Sequence, residues 1–168
     1  MKILNQQIFE NKEAAALPGL MESGGLPALV SGLSGIHRVN LAAALYENLE
    51  LPMFVVCPDD SAAESFTRDL ESMLGRPVNT LYSRDFTFYP SLAASREAEQ
   101  KRLYVLNALR CGESPVTVAT VSALMQRAIP PQTLGKAAFT VKDGEPCPPE
   151  ELEAAGMGAG PERVVVEK

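Results

Sequence analysis

Hydrophobic positions along this chain follow two different spacings. Short, largely apolar runs stand at 28–31 (ALVS), 53–57 (MFVVC), 78–82 (VNTLY) and 116–120 (VTVAT). Such runs, without alternation, are typical of strands buried on both faces. Between them, apolar residues recur every three or four positions, which is the period of an amphipathic helix. The pattern therefore predicts strands alternating with helices.

Start and stop signals bound the predicted helices. The helix after 28–31 ends before Pro52, since proline cannot continue it. In the helix that follows MFVVC, Asp60 or Ser61 can serve as the N-cap, and Ser61 with Glu64 fits a capping box. Gly75 stands where a C-cap glycine belongs.

A fourth helical stretch is predicted to begin after a cap at Ser95 and to end at Cys111-Gly112. Its basic residues are expected on a solvated face, and its apolar face is expected to be buried against the sheet. The basic residues are Arg96, Lys101 and Arg102, and the apolar ones include Ala98, Val105, Leu106 and Leu109.

The ends of the chain differ from its middle. Residues 1–16 suggest a short polar helix, 17–27 form a Gly/Pro-rich connector, and 121–129 predict a short helix stopped by Pro130-Pro131. Beyond this point a strand, a helix and the run ERVVVEK follow, which suggests the start of another α+β domain.

Strand–helix alternation with continuous apolar strands predicts the α/β class, a parallel sheet covered by helices on both faces. We expect three parts. Residues 1–26 are an N-terminal helix and linker, 27–131 a helicase-like or P-loop-like α/β domain, and 132–168 the truncated beginning of a small α+β domain.

Composition narrows the possible functions. The 168 residues include 46% hydrophobic and 21% charged residues, which is ordinary for a globular protein. No apolar run approaches the ~20 residues of a membrane span, and no signal-peptide core is visible, so a cytoplasmic location without membrane contact is expected. The net charge of −6 gives no overall basic footprint for nucleic acid.

Few residues are suited to metal or acid–base chemistry. Cys57, Cys111 and Cys147 are far apart and lack metal-ligand spacing, and His37 is the single histidine. A multi-histidine metal site is excluded, and the unpaired cysteines suggest a reducing compartment.

The segment SGLSGIHRV has the outline of a phosphate-binding loop, G-x-x-x-x-G-K-[ST]. Gly32 occupies the first glycine position, with Gly35 between, while His37, Arg38 and Val39 replace the second glycine, the lysine and the hydroxyl residue. His37 adds a Cβ where the backbone must approach closely, and Val39 offers no oxygen to Mg²⁺. The pattern predicts a degenerate loop with no bound cofactor.

An acidic partner for Mg²⁺ would be expected at a strand end. Asp59 and Asp60 follow MFVVC in that position, although helix capping is the more ordinary role for these residues.

Four ordered segments together resemble one known family. They are LVSGLSGIHRVNLAAAL, FVVCPDDSAAESFTRDL, LYSRDFTFYPSLAASREAEQKRLYVLNAL and VTVATVSALMQR. In order and spacing they resemble the N-terminal region of the bacterial transcription-repair coupling factors (Mfd), which is itself similar to the excinuclease subunit UvrB. The resemblance runs from about Leu29 to the end of the chain.

This resemblance implies a non-catalytic module that helps to recruit the excision repair subunit UvrA to stalled RNA polymerase. The UvrA-binding domain would begin near residue 132, with Arg163 and Glu167 as possible partner contacts. ATP-driven translocation on DNA and RNA polymerase binding would belong to other parts of the parent protein.

The alternative is a nucleotide-binding fragment of a helicase-class ATPase such as UvrB. That family has an intact phosphate loop and a long aromatic hairpin, whereas only a few residues separate Tyr89 from Ser95 here. A base-stacking role for the aromatic residues is a weaker alternative, because clustered aromatics more often close the edge of a core. Those aromatic residues are Tyr82, Phe86, Phe88 and Tyr89, with Arg84 and Arg96 nearby.

Overall fold

The structure is a computed structural model, and it describes residues 7–83 and 96–137, with side chains over 7–83 and 99–136. Several sequence predictions therefore lie outside the described residues. These are the elements predicted beyond 137 and the residues Arg84, Phe86, Phe88, Tyr89, Ser95, Cys147, Arg163 and Glu167, together with the side chains of Arg96 and Ala98.

Helices and strands alternate as the hydrophobic pattern predicted. A short 3-10 helix at Gln7–Glu10 precedes the first α-helix. The elements that follow are α1 (Lys12–Glu22), α2 (Gly35–Leu49), β1 (Met53–Cys57), α3 (Asp60–Leu74), β2 (Asn79–Leu81), α4 (Arg96–Cys111), β3 (Val116–Thr120), α5 (Val121–Met125) and α6 (Pro131–Ala137).

The three strands form one sheet in the order β1-β3-β2. β1 and β3 run parallel, with Met53 opposite Val116 and Cys57 opposite Thr120. Non-consecutive neighbours and parallel pairing require helical crossovers between strands. The predicted α/β class, a parallel sheet flanked by helices, is confirmed.

The chain divides into two compact units. The first consists of residues 1–80 and 114–121, and the second of 81–113 and 122–168.

A hydrophobic core organises the first unit. Leu70 of α3, Ala43 of α2 and Val118 of β3 are each 0% exposed, so α2, α3 and the sheet share one interior. The other buried members of this cluster are Val39, Cys57, Ala63, Val78 and Val116.

Capping explains where α3 begins and ends. Asp59 is its N-cap, and its Oδ1 accepts a hydrogen bond from Ala62 N at 2.8 Å. The prediction that Asp60 or Ser61 caps this helix is wrong, because Asp59 already satisfies the free backbone N–H. Gly75 ends the helix in the left-handed region at φ +67°, as predicted, because glycine has no Cβ to clash there.

The predicted strand at 28–31 is not formed. These residues have no regular secondary structure, and Leu29 and Val30 are 94% and 45% exposed. The prediction that both faces of β1 are buried is also wrong. Alternate residues share one face of a strand, and Phe54 and Val56 are 45% and 51% exposed, so one face of this outer strand is only partly covered. β3, between its two neighbours, is buried along its whole length.

Prolines end fewer helices than predicted. Pro18 lies inside α1, although 17–27 was expected to be a connector, and α1 packs against α2. The short helix predicted over 121–129 ends at Met125, and Pro131 begins α6 instead of following a stop. Proline suits the first position of a helix, because its missing N–H would have no partner there.

In the second unit, α4 covers the predicted range almost fully. Val105 is buried, as predicted, while Leu106 and Leu109 are only half-buried. Arg102 and Ala108 share the buried face with Val105, three residues apart along one side of the helix. The expectation that Arg102 is solvated is therefore wrong.

Candidate functional site

The degenerate phosphate loop leads directly into the first turn of α2. Gly32 adopts φ +81°, a left-handed conformation that favours glycine. Ser34 is the N-cap in extended conformation, and Gly35 is the first helical residue. A Cβ added at Gly35 would meet no atom within 4 Å, so packing does not require glycine at this position.

His37 forms a side-chain contact with Ser34, the N-cap residue of α2. The Ser34 hydroxyl and His37 Nδ1 are 2.8 Å apart, and the Ser34 side chain makes no capping hydrogen bond to the backbone. The hydroxyl therefore pairs with the imidazole across the first turn.

Arg38 is turned back onto the loop. Its Nε donates to Leu33 O at 3.2 Å, and its backbone N donates to Ser34 O at 3.1 Å. One guanidinium N–H is therefore used inside the loop itself. The side chain remains exposed, so the charge still faces solvent.

Val39 belongs to the core and not to the loop surface. It is 2% exposed and packs in the hydrophobic cluster with Ala43, Cys57 and Val118. A hydroxyl residue that holds Mg²⁺ needs an oxygen directed at the phosphates. Here the corresponding side chain is apolar and enclosed by other apolar groups.

A phosphate loop normally joins a strand to a helix, and the described structure supplies only the helix. Of the five degenerate-loop residues, Val39 is buried and Gly32, Gly35, His37 and Arg38 are exposed. The structure thus brings His37 to Ser34 and Arg38 to Leu33, and it leaves the entrance to α2 without a preceding strand.

The two acidic residues after β1, Asp59 and Asp60, belong to the start of α3. Asp59 caps α3, as the ordinary interpretation predicted, and Asp60 is exposed in the first turn. Burial, and secondarily the negative charge of Asp59, raises the pKa of the Cys57 thiol. Within residues 7–83 and 99–136, no three or more His, Cys, Asp or Glu side chains are grouped to hold a metal ion.

Arg102 is the residue that sequence reasoning missed. It is 4% exposed, and its guanidinium donates to Tyr82 O at 2.7 Å and to Ala123 O at 3.1 Å. It thereby joins α4 to the residue after β2 and to α5. Its spacing of three residues from Val105 was a signal that could have indicated burial.

In the part of the chain that the structure describes, none of the helices combines the length and the apolar character needed to cross a bilayer.

Comparisons with known proteins identify a relative. The chain is 30% identical over 163 residues to the transcription-repair-coupling factor of Bacillus subtilis strain 168. The match covers 93% of this chain and 13% of the relative, so the chain spans only a small part of that protein's length. No family model matches, and no solved structure matches. The chain is Mfd-like over nearly all of its length, and the resemblance indicated by its motifs is confirmed.

Proposed function

We propose that this Mfd-like chain is a non-catalytic module of a transcription-repair coupling factor that helps to recruit the excision repair machinery to stalled RNA polymerase. The observation that carries the proposal is the similarity to a transcription-repair-coupling factor over 93% of the chain. The geometry of the degenerate loop supports the non-catalytic part.

Three contacts argue against nucleotide turnover at the loop. Val39 lies in the core, the Ser34 hydroxyl is 2.8 Å from His37 Nδ1, and Arg38 Nε is bonded to Leu33 O. The position of the magnesium ligand is therefore apolar, and three polar side chains of the turn are engaged within the loop and the first turn of α2. The helix N-terminus keeps backbone N–H groups that attract anions in general, without the side chains for phosphoryl transfer.

In this proposal, UvrA binds the region that begins near residue 132. RNA polymerase binding and ATP-driven movement on DNA belong to other parts of the parent protein. The direct test is capture of purified UvrA by the chain, alone and joined to the segment that follows the matched region in the Bacillus subtilis relative. Capture by the extended form supports recruitment. If neither form captures UvrA while the full parent does, the recruitment role belongs elsewhere in the parent.

The first prediction concerns nucleotide binding. Titration calorimetry with Mg-ATP at millimolar concentration is expected to show no binding in the micromolar range, because the loop lacks a metal hydroxyl at Val39. The exposed charge of Arg38 permits only weak anion attraction. A micromolar dissociation constant that is lost in Arg38→Ala would instead favour the helicase-class alternative.

A triple variant restores the consensus side chains and so tests whether the loop backbone itself can still hold a nucleotide. His37→Gly, Arg38→Lys and Val39→Thr together return the second glycine, the lysine and the hydroxyl. Because 28–31 is not a strand in the structure, we expect the triple variant to remain unable to bind Mg-ATP. Circular dichroism on the same sample verifies folding, and binding by a folded triple variant would show that only the side chains had been lost.

A further inference from the structure

Charge is distributed unevenly between the described parts of the two units. In the first unit, residues 7–80 and 114–121 contain ten acidic and four basic residues. In the second unit, residues 81–83, 96–113 and 122–137 contain three acidic and six basic residues. The net charge of −6 therefore conceals a basic region in the second unit, and a locally basic region attracts anionic groups.

Arg110, at the end of α4, presents a guanidinium that is held in one orientation. Its Nε and Nη2 donate to Asn107 Oδ1 at 3.1 and 2.9 Å, and Nη2 also lies 3.3 Å from Cys111 Sγ. The side chain is nonetheless exposed. Nη1 has no hydrogen-bond partner among the described residues, so its two N–H donors remain available to another group.

α6 meets this guanidinium at a glycine. α4 and α6 pack together with Leu134 buried, and a Cβ placed on Gly135 would lie 3.1 Å from Arg110 Nη1. Glycine is a poor helix former, but here it leaves room for the guanidinium to lie against α6. The next residue, Lys136, is exposed, so two cationic residues come from neighbouring helices.

Each of these cations lies in the last turn of its helix, where a positive charge is favourable by itself. Their position on adjacent helices is unfavourable, because like charges repel. Within the described part of the chain, neither Arg110 nor Lys136 forms an ion pair with a carboxylate. An anionic group from outside that part would offset the repulsion.

The chain itself supplies an acidic segment shortly after α6. Residues 143–153, DGEPCPPEELE, contain five acidic residues and no basic one, and they lie outside the described residues. Asp143 follows Ala137, the last residue of α6, by six residues, a length that spans up to about 20 Å when extended. A tethered segment reaches an effective concentration of about millimolar, which favours it over a second copy of the chain.

We propose that Arg110 and Lys136 form a docking surface for carboxylates of the chain's own acidic segment, residues 143–153. The guanidinium, already oriented by Asn107, offers Nη1 to a carboxylate in a charge-assisted hydrogen bond, and Lys136 supplies a second positive charge. The contact is internal to the second unit. It determines where the segment after α6 lies in the free chain, independently of the proposed recruitment of UvrA.

Zero-length carbodiimide cross-linking of the whole chain, followed by peptide mass spectrometry, tests the proposal. The reagent joins a lysine amine to a carboxylate only where the two are in contact. We expect Lys136 to cross-link to Glu150, Glu151 or Glu153 more often than Lys142 does, although Lys142 is eight residues from Glu150 and Lys136 is fourteen. A tether without docking would favour the lysine that is nearer along the chain.

Two variants identify the role of the guanidinium. Arg110→Gln should lower the yield of Lys136 cross-links by about two- to fivefold, which is the contribution of one exposed ion pair. Arg68→Gln removes the same charge at an exposed position of α3 in the first unit. It is the matched control and should leave the yield unchanged, and circular dichroism verifies that both variants fold.

Three results would overturn the docking surface. Cross-links that form at Lys142 in preference to Lys136 would show a segment that is tethered and undocked. Cross-linked peptides found only in dimers would assign the carboxylates to a second copy. An unchanged yield in Arg110→Gln, or an equal loss in Arg110→Gln and Arg68→Gln, would show that Arg110 does not form the surface.

Discussion

Two connections in the first unit resemble each other in sequence and differ in structure. Residues 28–35 and 53–60 both read as an apolar run, a polar turn and the start of a helix. At 53–60 the strand forms, Cys57 is buried and Asp59 caps the helix. At 28–35 no strand forms, Leu29 is 94% exposed and Ser34 makes no side-chain cap.

The difference shows that the formation of a strand depends on a neighbouring strand more than on the residues of the segment itself. β1 pairs with β3 along its whole length, and Met53 N donates to the carbonyl of Pro115, just before β3, whereas 28–31 has no ladder in the described structure. A single strand gains no ladder hydrogen bonds and loses conformational entropy. The apolar character of a short run is therefore necessary for a buried strand but not sufficient.

The largest expected effect compares Val39, which is buried in α2, with Val56, which is exposed in β1. Val39→Thr should lower the free energy of unfolding by about 1–3 kcal/mol, because the hydroxyl enters an apolar core without a partner. Val56→Thr makes the same chemical change at an exposed site of β1 and should stay within about 0.5 kcal/mol. Chemical denaturation measures both, and equal effects would mean that the burial of the two valines is misassigned.

A smaller effect distinguishes the two helix starts. Asp59→Ala should cost about 1 kcal/mol, because the hydrogen bond from Ala62 N at 2.8 Å is lost. Ser34→Ala should cost less than about 0.5 kcal/mol, because its hydroxyl bonds an exposed imidazole and no backbone N–H. Urea denaturation of both variants is the measurement, and a larger loss for Ser34→Ala would reverse the assignment.

The smallest effect is a dependence on alkaline pH. Burial raises the pKa of the Cys57 thiol above its ordinary value of 9.0, so the folded state favours the neutral thiol. Its contribution to stability is complete below the unfolded pKa and is lost as pH rises through the folded pKa. Stability should therefore fall more steeply between about pH 8 and pH 10 in the native chain than in Cys57→Ala.

Thermal unfolding across that pH range provides the measurement. Cys111→Ala is the matched control, because Cys111 is an exposed thiol, and it should keep the slope of the native chain. If Cys57→Ala shows the same slope as the native chain, another group produces the alkaline loss of stability.

Sequence patterns predicted the parts of the fold that depend on local chemistry. The strands at 53–57 and 116–120, the capping glycine at 75 and the end of α4 near Gly112 all follow from the residues themselves. The degenerate loop was also visible from its residue types. Its internal bonds were not, because the 2.8 Å contact of Ser34 with His37 depends on rotamers that a motif does not specify.

Two prolines and one arginine were misjudged. Pro18 lies inside α1 and Pro131 begins α6, although both were expected to end or interrupt helices. Arg102 was expected in solvent and is 4% exposed, donating to the carbonyls of Tyr82 and Ala123. Pro131 occupies a first helical position that local rules allow, whereas Arg102 is stabilised by carbonyl groups that are distant along the chain.

By itself, the sequence determined the α/β class, the alternation of elements and the loss of phosphate-binding residues at 37–39, because periodicity and side-chain chemistry are properties of single segments. The tertiary structure decided which strands find partners, which face of β1 stays open, and that Arg102 is buried. These outcomes depend on hydrogen bonds and burial between segments distant in sequence. Their free energy exists only when the segments meet.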